Sequence, residues 1–369
     1  MIEDISQITG IQHARNFSAG EVIFEEGQPG KLMYLVLAGE VQVSIQGRPI
    51  NTVGPGSIFG EMALVDERER SATVTALTDS RLVPIDQDRF SRLVQQSPDF
   101  ALQVMSTMSS RLRHLLEEEV IRQRMEEELK IGRQIQLSLL PTELPLARGW
   151  EFAAFYRAAR EVGGDLYDFI QAPDDPDNLA IVIADVTGKG VPAALFMAFG
   201  RTAIRAEVMN GRQPADALFR TNRMILLDTQ SPLLMSAFLA SFDLNSGTMT
   251  YACAGHDRPL WVRAEDNSVS IIEGKGVVLG VFDGMTIEEK RLTINSGDFL
   301  VFYTDGVTEA RRNDDAFFEL ERLVEVVGST RCGSAQEMVD AIVQAVEEFT
   351  GDTPQADDLT LIVARRLQH

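Results

Sequence analysis

From Asn16 to Ile85 the apolar positions fall in short β-branched runs: Val22-Ile-Phe24, Met33-Tyr-Leu-Val-Leu37, Glu40-Val-Gln-Val-Ser-Ile45, Thr73-Val-Thr75 and Ser80-Arg-Leu-Val83. Glycines separate them, and short strands at regular spacing with glycine turns predict a small β-roll. One interruption breaks the pattern: Phe59-Gly60-Glu61-Met62-Ala63-Leu64-Val65 reads as a short helix opening after a Gly-Pro-Gly-Ser turn. From residue 87 the period changes. Phe90, Leu93 and Val94 fit a helix packed on the roll, and no proline occurs between Pro98 and Pro141. Met105, Met108, Leu112 and Leu115 form a short heptad seam. The next seam positions, Glu119 and Arg122, are charged, and apolar spacing resumes at Ile121, Met125 and Leu129, so the register slips. This seam predicts a parallel homodimer through a coiled-coil linker; a lone amphipathic helix lying on its own domain is the alternative.

Beyond Leu137-Ser-Leu-Leu-Pro141 strand and helix patterns alternate to the C-terminus. Glu151–Tyr156 and Asp165–Ile170 read as strands, 192–210 and 214–228 as helices, and Ser236–Phe242 with Met249–Ala254 as a hairpin turning through Asp243-Leu-Asn-Ser-Gly247. Strand runs flanking helix runs indicate a layered α+β sandwich. The run Ile181-Val-Ile-Ala-Asp185 ends in a carboxylate before Val186-Thr-Gly188-Lys189-Gly190 and a helix start. Asp185 is therefore expected at the tip of a buried strand. Phe299-Leu-Val-Phe-Tyr-Thr-Asp305-Gly306 repeats that design, and Asp357-Asp358 directly precedes the apolar run Leu359–Ala364.

With 369 residues, 44% of them hydrophobic, the chain has material for more than one core. Its net charge of −21 argues against a nucleic-acid surface, which needs clustered Lys and Arg. The two cysteines, Cys253 and Cys332, lie in no disulfide or zinc pattern, and no apolar run is long enough to span a membrane. A cytoplasmic protein is expected.

The expected helix start near Gly60, with Arg70 close by, makes an anion site, and Glu61 beside it can accept bonds from sugar hydroxyls. At the other end, Asp165, Asp185, Asp305 and Asp357 are carboxylates without accompanying His or Cys. Hard oxygen donors of this kind suit Mg²⁺ or Mn²⁺ rather than Zn²⁺. Four acids suggest two ions, which activate water for in-line attack on phosphorus. No Walker loop and no G-x-S-x-G elbow is present. Asp168 and Asp358 neighbour these acids and either touch metal or bond backbone. Lys189 either attracts a substrate phosphate or is a solvated helix-start lysine, and His256 in its Gly-rich turn is structural or a general base.

Phe-Gly-Glu-x-Ala-Leu followed by Arg-Ser-Ala-x-Val resembles the phosphate-binding cassette of cyclic-nucleotide-binding domains. The resemblance implies that Glu61 binds the ribose 2′-hydroxyl, Gly60 supplies backbone near it, Arg70 pairs with the cyclic phosphate and Ser71 lies beside phosphate or base. Either cAMP or cGMP would serve. Val162-Gly-Gly-Asp165-Leu-Tyr-Asp168, Asp185-Val-Thr-Gly-Lys-Gly190-Val-Pro-Ala-Ala-Leu-Phe-Met197, Tyr251-Ala-Cys-Ala-Gly-His256-Asp-Arg-Pro259, Ser296–Glu309 and Asp357-Asp-Leu-Thr-Leu resemble the SpoIIE/RsbU branch of type 2C phosphatases. After His256 the chain has Asp257-Arg258-Pro259, where that branch more often has Asn-Pro-Pro.

The second resemblance implies an αββα sandwich with Mg²⁺ or Mn²⁺ held by Asp165, Asp185, the Val186 carbonyl, Asp305 and Asp357. It also implies a phosphoserine or phosphothreonine substrate on an anti-sigma-factor antagonist. The expected layout is a cyclic-nucleotide-binding domain over 1–110, a helical linker over 111–137 and a phosphatase domain over 138–369. Rotation of the linker would turn Ile135 and Leu139 against the phosphatase core. The alternative function is a non-catalytic nucleotide-sensing dimer that sequesters a partner.

Overall fold

The computed structural model describes residues 13–62, 69–96, 98–172, 174–228, 232–330 and 333–367; for residues 96, 98–100, 103, 107, 111 and 114 it describes the backbone alone. Residues 63–65 of the expected cassette helix at 59–65, and Cys332, lie outside the described residues. The chain divides into two compact units, Met1–Gln123 and Arg124–His369.

In the first unit β1 (Arg15–Phe17), β2 (Val22–Phe24), β3 (Met33–Ala38), β4 (Val41–Ile45), β5 (Arg48–Val53), β6 (Ile58–Phe59), β7 (Thr73–Ala76) and β8 (Ser80–Ile85) make two antiparallel sheets. Their orders are β1-β8-β3-β6 and β2-β7-β4-β5. The alternation of β3 explains how both faces of the roll are filled. Tyr34 and Val36 join Phe24, Val41, Phe59 and Val74 in one cluster, while Met33 and Leu35 face Val83, Ile85 and Leu93 in the other. Leu93 belongs to α1 (Gln87–Gln96), which ends before Pro98; α2 (Pro98–Leu139) then runs 42 residues. The seam residues Met105, Met108, Leu112 and Leu115 are all exposed, as are Ile121 and Met125.

The second unit holds β9 (Trp150–Arg157), β10 (Leu166–Ile170), β11 (Asn178–Val186), α3 (Val191–Met209), α4 (Pro214–Asp228), β12 (Met235–Asp243), β13 (Thr248–Ala254), β14 (Leu260–Val262), β15 (Val269–Ile271), β16 (Glu289–Thr293), β17 (Phe299–Tyr303), α5 (Asp305–Thr308), α6 (Leu320–Ser329), α7 (Ala335–Thr350) and β18 (Leu359–Arg366). Two five-stranded antiparallel sheets, β10-β11-β12-β13-β16 and β15-β14-β17-β18-β9, stack face to face. Helices α3 and α4 cover the first sheet, and α6 and α7 cover the second. Period-two alternation assigns each strand residue to a layer. In β11, Ile181 and Ile183 enter the sandwich core between the sheets, while the smaller Ala180, Val182 and Ala184 pack under the helices. In β18, Ile362 and Ala364 face the sandwich core, and Leu359, Leu361 and Val363 face α6 and α7.

The expected hairpin forms, and Asp243 Oδ1 accepts from the amides of Asn245 and Ser246 at 3.0 Å to set its turn. Two boundaries differ from expectation: Asp165 precedes its strand, and Asp305 opens the single turn of α5. Ile135 also differs, being 60% exposed; Gln136 and Leu140 are the buried side chains of that stretch. No helix among the described residues is long and apolar enough to cross a membrane.

Candidate active site

Hairpin register brings the acids together. In the β10/β11 pair Leu166 faces Ala184, so Asp165 and Asp185 come to one end of the first sheet. In the β17/β18 pair Tyr303 faces Leu361, which puts Asp305 and Asp357-Asp358 at one end of the second. Asp165 joins the two ends: its Oδ2 accepts from Thr304 Oγ1 at 2.7 Å and from Thr360 Oγ1 at 2.5 Å. Past Val186 the chain turns through Gly188 (φ 92°) and Gly190 (φ 78°), left-handed conformations open to glycine, before α3 begins with Pro192 in its first turn.

Electrostatics mark the cluster as under-compensated negative charge. Burial, then the charges of Asp185 and Asp358, hold the Asp165 carboxyl well above its ordinary range, against the opposing hydroxyl bonds. Burial and the neighbouring Asp305 push Asp185 up to about 7. Burial and then Asp357 push Asp305 up to about 6. Shifts of this kind cluster at functional sites. An oxygen-only donor set agrees in kind with Mg²⁺ or Mn²⁺. As they stand, however, no three His, Cys, Asp or Glu side chains among the described residues close around an ion.

One reason is visible at Asp357. Lys189 is neither fully solvated nor free for an anion: its Nζ donates to Asp357 Oδ2 at 2.7 Å and to the Ala356 carbonyl at 2.6 Å. Asp358 is buried and bonds backbone, accepting from the amides of Ala159 (2.8 Å), Gly164 (2.6 Å) and Asp165 (3.3 Å). Asp168 turns to the helix layer, paired with Arg201 at 3.0 Å and Arg205 at 2.8 Å, and so pins α3 to β10. His256 is buried with Nδ1 2.7 Å from Ser236 Oγ, and desolvation drops its pKa to about 4. The imidazole is thereby held neutral, and its Nε2 is buried without a hydrogen-bond partner among the described residues.

The first unit carries a separate cavity of about 310 Å³. Phe24, Val43, Ile45, Ile50 and Val74 line it together with Gly60, Glu61, Arg70 and Ser71, so all four cassette positions border one space. Glu61 and Arg70 are buried. The Arg70 guanidinium donates to the carbonyls of Leu32 (2.6 Å) and Gly60 (3.1 Å) and stacks over Phe24 at 3.9 Å. Gly60 has φ 73°, and a Cβ there would lie 2.8 Å from Arg70 Nη1. Ser71 Oγ sits 3.7 Å from Met62 Sδ.

A family model described as stage II sporulation protein E (SpoIIE) matches residues 175–367, more than half of the chain. The chain belongs to the SpoIIE family. A cyclic nucleotide-binding domain model matches residues 14–97 of this SpoIIE-family protein, which therefore joins the two modules in one chain. The phosphoserine phosphatase RsbU of Bacillus subtilis is 32% identical over 273 residues, covering 74% of this chain and 80% of RsbU. The cyclic AMP receptor protein of Thermus thermophilus is 32% identical over 116 residues, 30% of this chain and 54% of the receptor. Among solved structures, the SiaA-PP2C domain of Pseudomonas aeruginosa matches at TM-score 0.58 and 23% identity over 67% of this chain and 98% of that domain, a likeness of fold. The RsbU and RsbW domains of Rv1364c from Mycobacterium tuberculosis match at TM-score 0.51 and 28% identity over 62% of this chain and 63% of theirs.

Three side chains of this SpoIIE-family site escaped sequence reasoning. Thr304 and Thr360 stand beside expected acids, but nothing in their spacing says that both hydroxyls reach Asp165. Gln136 exchanges two bonds with Gly163, Nε2 to the carbonyl at 2.7 Å and the amide to Oε1 at 3.0 Å. Its one sequence signal is a polar residue at a buried helix position.

Proposed function

We propose that the chain is a Mg²⁺- or Mn²⁺-dependent protein phosphatase for phosphoserine and phosphothreonine, controlled by a cyclic nucleotide bound in its N-terminal domain. The observation that carries this reading is the convergence of Asp165, Asp185 and Asp305 at the joined ends of two sheets, with proton affinities raised by burial and mutual repulsion. Asp165, Asp185, the Val186 carbonyl, Asp305 and Asp357 would hold two ions, Asp357 after exchanging Lys189 for metal. Bound there, the ions supply Lewis acidity and an activated water for in-line displacement at phosphorus. The chain's own part is positioning. Thr304 and Thr360 orient Asp165, and Asp358 fixes the loop that carries it.

RsbU and RsbP of Bacillus subtilis bear the name phosphoserine phosphatase. An anti-sigma-factor antagonist is the corresponding substrate class here. In the first unit Glu61 and Gly60 would take the ribose, Arg70 the cyclic phosphate and Ser71 the phosphate or base, with apolar walls for the purine. The exposed seam of α2 suits a homodimer, and the layout 1–110, 111–137 and 138–369 makes that helix the connecting element. The non-catalytic scaffold reading has in its favour the open acid cluster and the Lys189–Asp357 pair, and against it that all four acids are intact.

The test is the rate on a phosphoserine protein and on a chromogenic phosphate ester with Mn²⁺, titrated with cAMP and with cGMP. Metal-dependent turnover that responds to one nucleotide is expected. No turnover at saturating Mn²⁺, with nucleotide binding intact, would leave the scaffold.

A further inference from the structure

Beside the acids lies a cavity of about 330 Å³ whose lining includes Arg157, Arg311, Glu347, Gln355, Ala356 and Asp357. Its charges are mostly spent. Arg157 pairs with Glu347 at 2.6 Å and donates to Gln355 at 2.6 Å, and Asp357 pairs with Lys189. Arg311 is the exception: among the described residues it has no ion-pair partner. Its guanidinium lies 5.0 Å from the centre of the Phe317 ring, and its backbone bridges that of Phe317. The intervening turn is closed by Arg312 N to Ala316 O at 3.0 Å and by the Arg312–Asp314 pair at 2.7 Å. Thr353 Oγ1 bonds Asn313 Oδ1 at 2.8 Å, so the opposite wall is tied to the same turn. Arg311 is exposed, and an unpaired cation lining a cavity on a chain of net charge −21 is complementary to an anion.

We propose that this cavity receives an acidic side chain of the phosphoprotein substrate, close in sequence to the phosphoserine, and that Arg311 selects it. Asp357 borders both the cavity and the acid cluster, so a chain whose phosphate reaches the acids passes the cavity mouth. An extended segment advances about 3.3–3.6 Å per residue, which restricts the selected position to the near neighbours of the phosphoserine. The proposal rests on the phosphatase reading and names what that site recognises besides phosphate.

The experiment uses phosphoserine peptides with Glu or Gln at one flanking position at a time, from three before to three after the phosphoserine. In the unmodified protein with Mn²⁺, one position should favour Glu over Gln by about tenfold in kcat/KM, equivalent to about 1.4 kcal/mol. Arg311→Gln should bring that ratio to about one, and Arg311→Glu should favour a Lys peptide at the same position. A general structural defect would lower all peptides together and leave the ratio intact. Fluorescence anisotropy with the same peptides reads the preference independently of turnover. Selective binding without hydrolysis would sink the phosphatase reading and keep the acidic docking site. Hydrolysis or binding with no Glu preference at any position, or a preference unchanged in Arg311→Gln, overturns the proposal.

Discussion

Metal binding at the acid cluster should displace protons, and the raised carboxyls set how many. Asp185 titrates at about 7 and Asp305 at about 6, against an ordinary 3.8. A cation needs both ionised, so its apparent affinity falls as protons compete. Between pH 7.5 and 5.5 the Asp185 equilibrium weakens binding by about 25-fold and that of Asp305 by about fourfold, together at least about 100-fold or about 2.7 kcal/mol, and Asp165, also held well above its ordinary range, adds to the loss. The sign for folding is opposite. Both groups have folded pKa values above their unfolded ones, so their contribution to the metal-free fold is fully present below about pH 4 and is lost as pH rises to about 7. Calorimetric Mn²⁺ titrations at pH 5.5, 6.5 and 7.5, in buffers of different ionisation enthalpy, read affinity and proton release together. Thermal melts in chelator read the stability arm. Affinity flat across this range with no proton uptake by buffer would refute the reasoning, because it would mean that the acids are already ionised or do not meet the ion.

Lys189→Met removes the cation now holding Asp357. The pair is partly exposed, so Mn²⁺ binding should tighten only about two- to fivefold, and weaker binding would instead make Lys189 part of the site. Asp358→Ala strands two buried amides and one part-buried amide and should cost about 3–5 kcal/mol of stability; both tryptophans, Trp150 and Trp261, lie in that unit, so their fluorescence in urea reports it. Arg70→Ala should weaken cAMP or cGMP binding by about 30-fold or more in calorimetry, since a charge-assisted bond is lost. Gln136→Leu leaves the Gly163 amide and carbonyl without their partner and should lower Mn²⁺ affinity and abolish the nucleotide response, while Gln136→Glu, which restores only the acceptor, should recover part of each.

The layers were legible because runs of strands flanking runs of helices are written locally in the sequence. The unbroken apolar run from Ile181 to Ala184 marks a buried strand before any contact is known, and its two faces appear only in the fold. Asp185 was legible for a related reason, a carboxylate closing an apolar run. The ion pair between Lys189 and Asp357 was not, since it depends on where two chain segments 168 residues apart meet. Ile135 misled because helical spacing fixes which residues share a face but not which face meets the core. The core meets Gln136, a polar side chain accommodated by the two backbone groups of Gly163. Arg311 carries no signal of its own in the run Arg311-Arg312-Asn313-Asp314-Asp315, and its isolation appears only after its neighbours have been paired off.

The loop from Ala159 to Asp165 is where these separate features act on one another. Gly163 and Gly164 have no room for a side chain: a Cβ on Gly163 would lie 2.3 Å from Asp358 Oδ2, and one on Gly164 would lie 2.9 Å from the Val186 carbonyl. Asp358 grips this loop from one side and Gln136 from the other, while Thr304 and Thr360 fix the carboxylate at its end. A loop bonded at Ala159, Gly163, Gly164 and Asp165, with no room for a side chain at its two glycines, transmits displacement rather than absorbing it. Movement of the α2 end that carries Gln136 would therefore shift Asp165 relative to Asp185 and the Val186 carbonyl. Metal ligands tolerate little such error, so a small shift suffices to bias occupancy. Control then needs no new contact at the acids, only two positions of one glutamine.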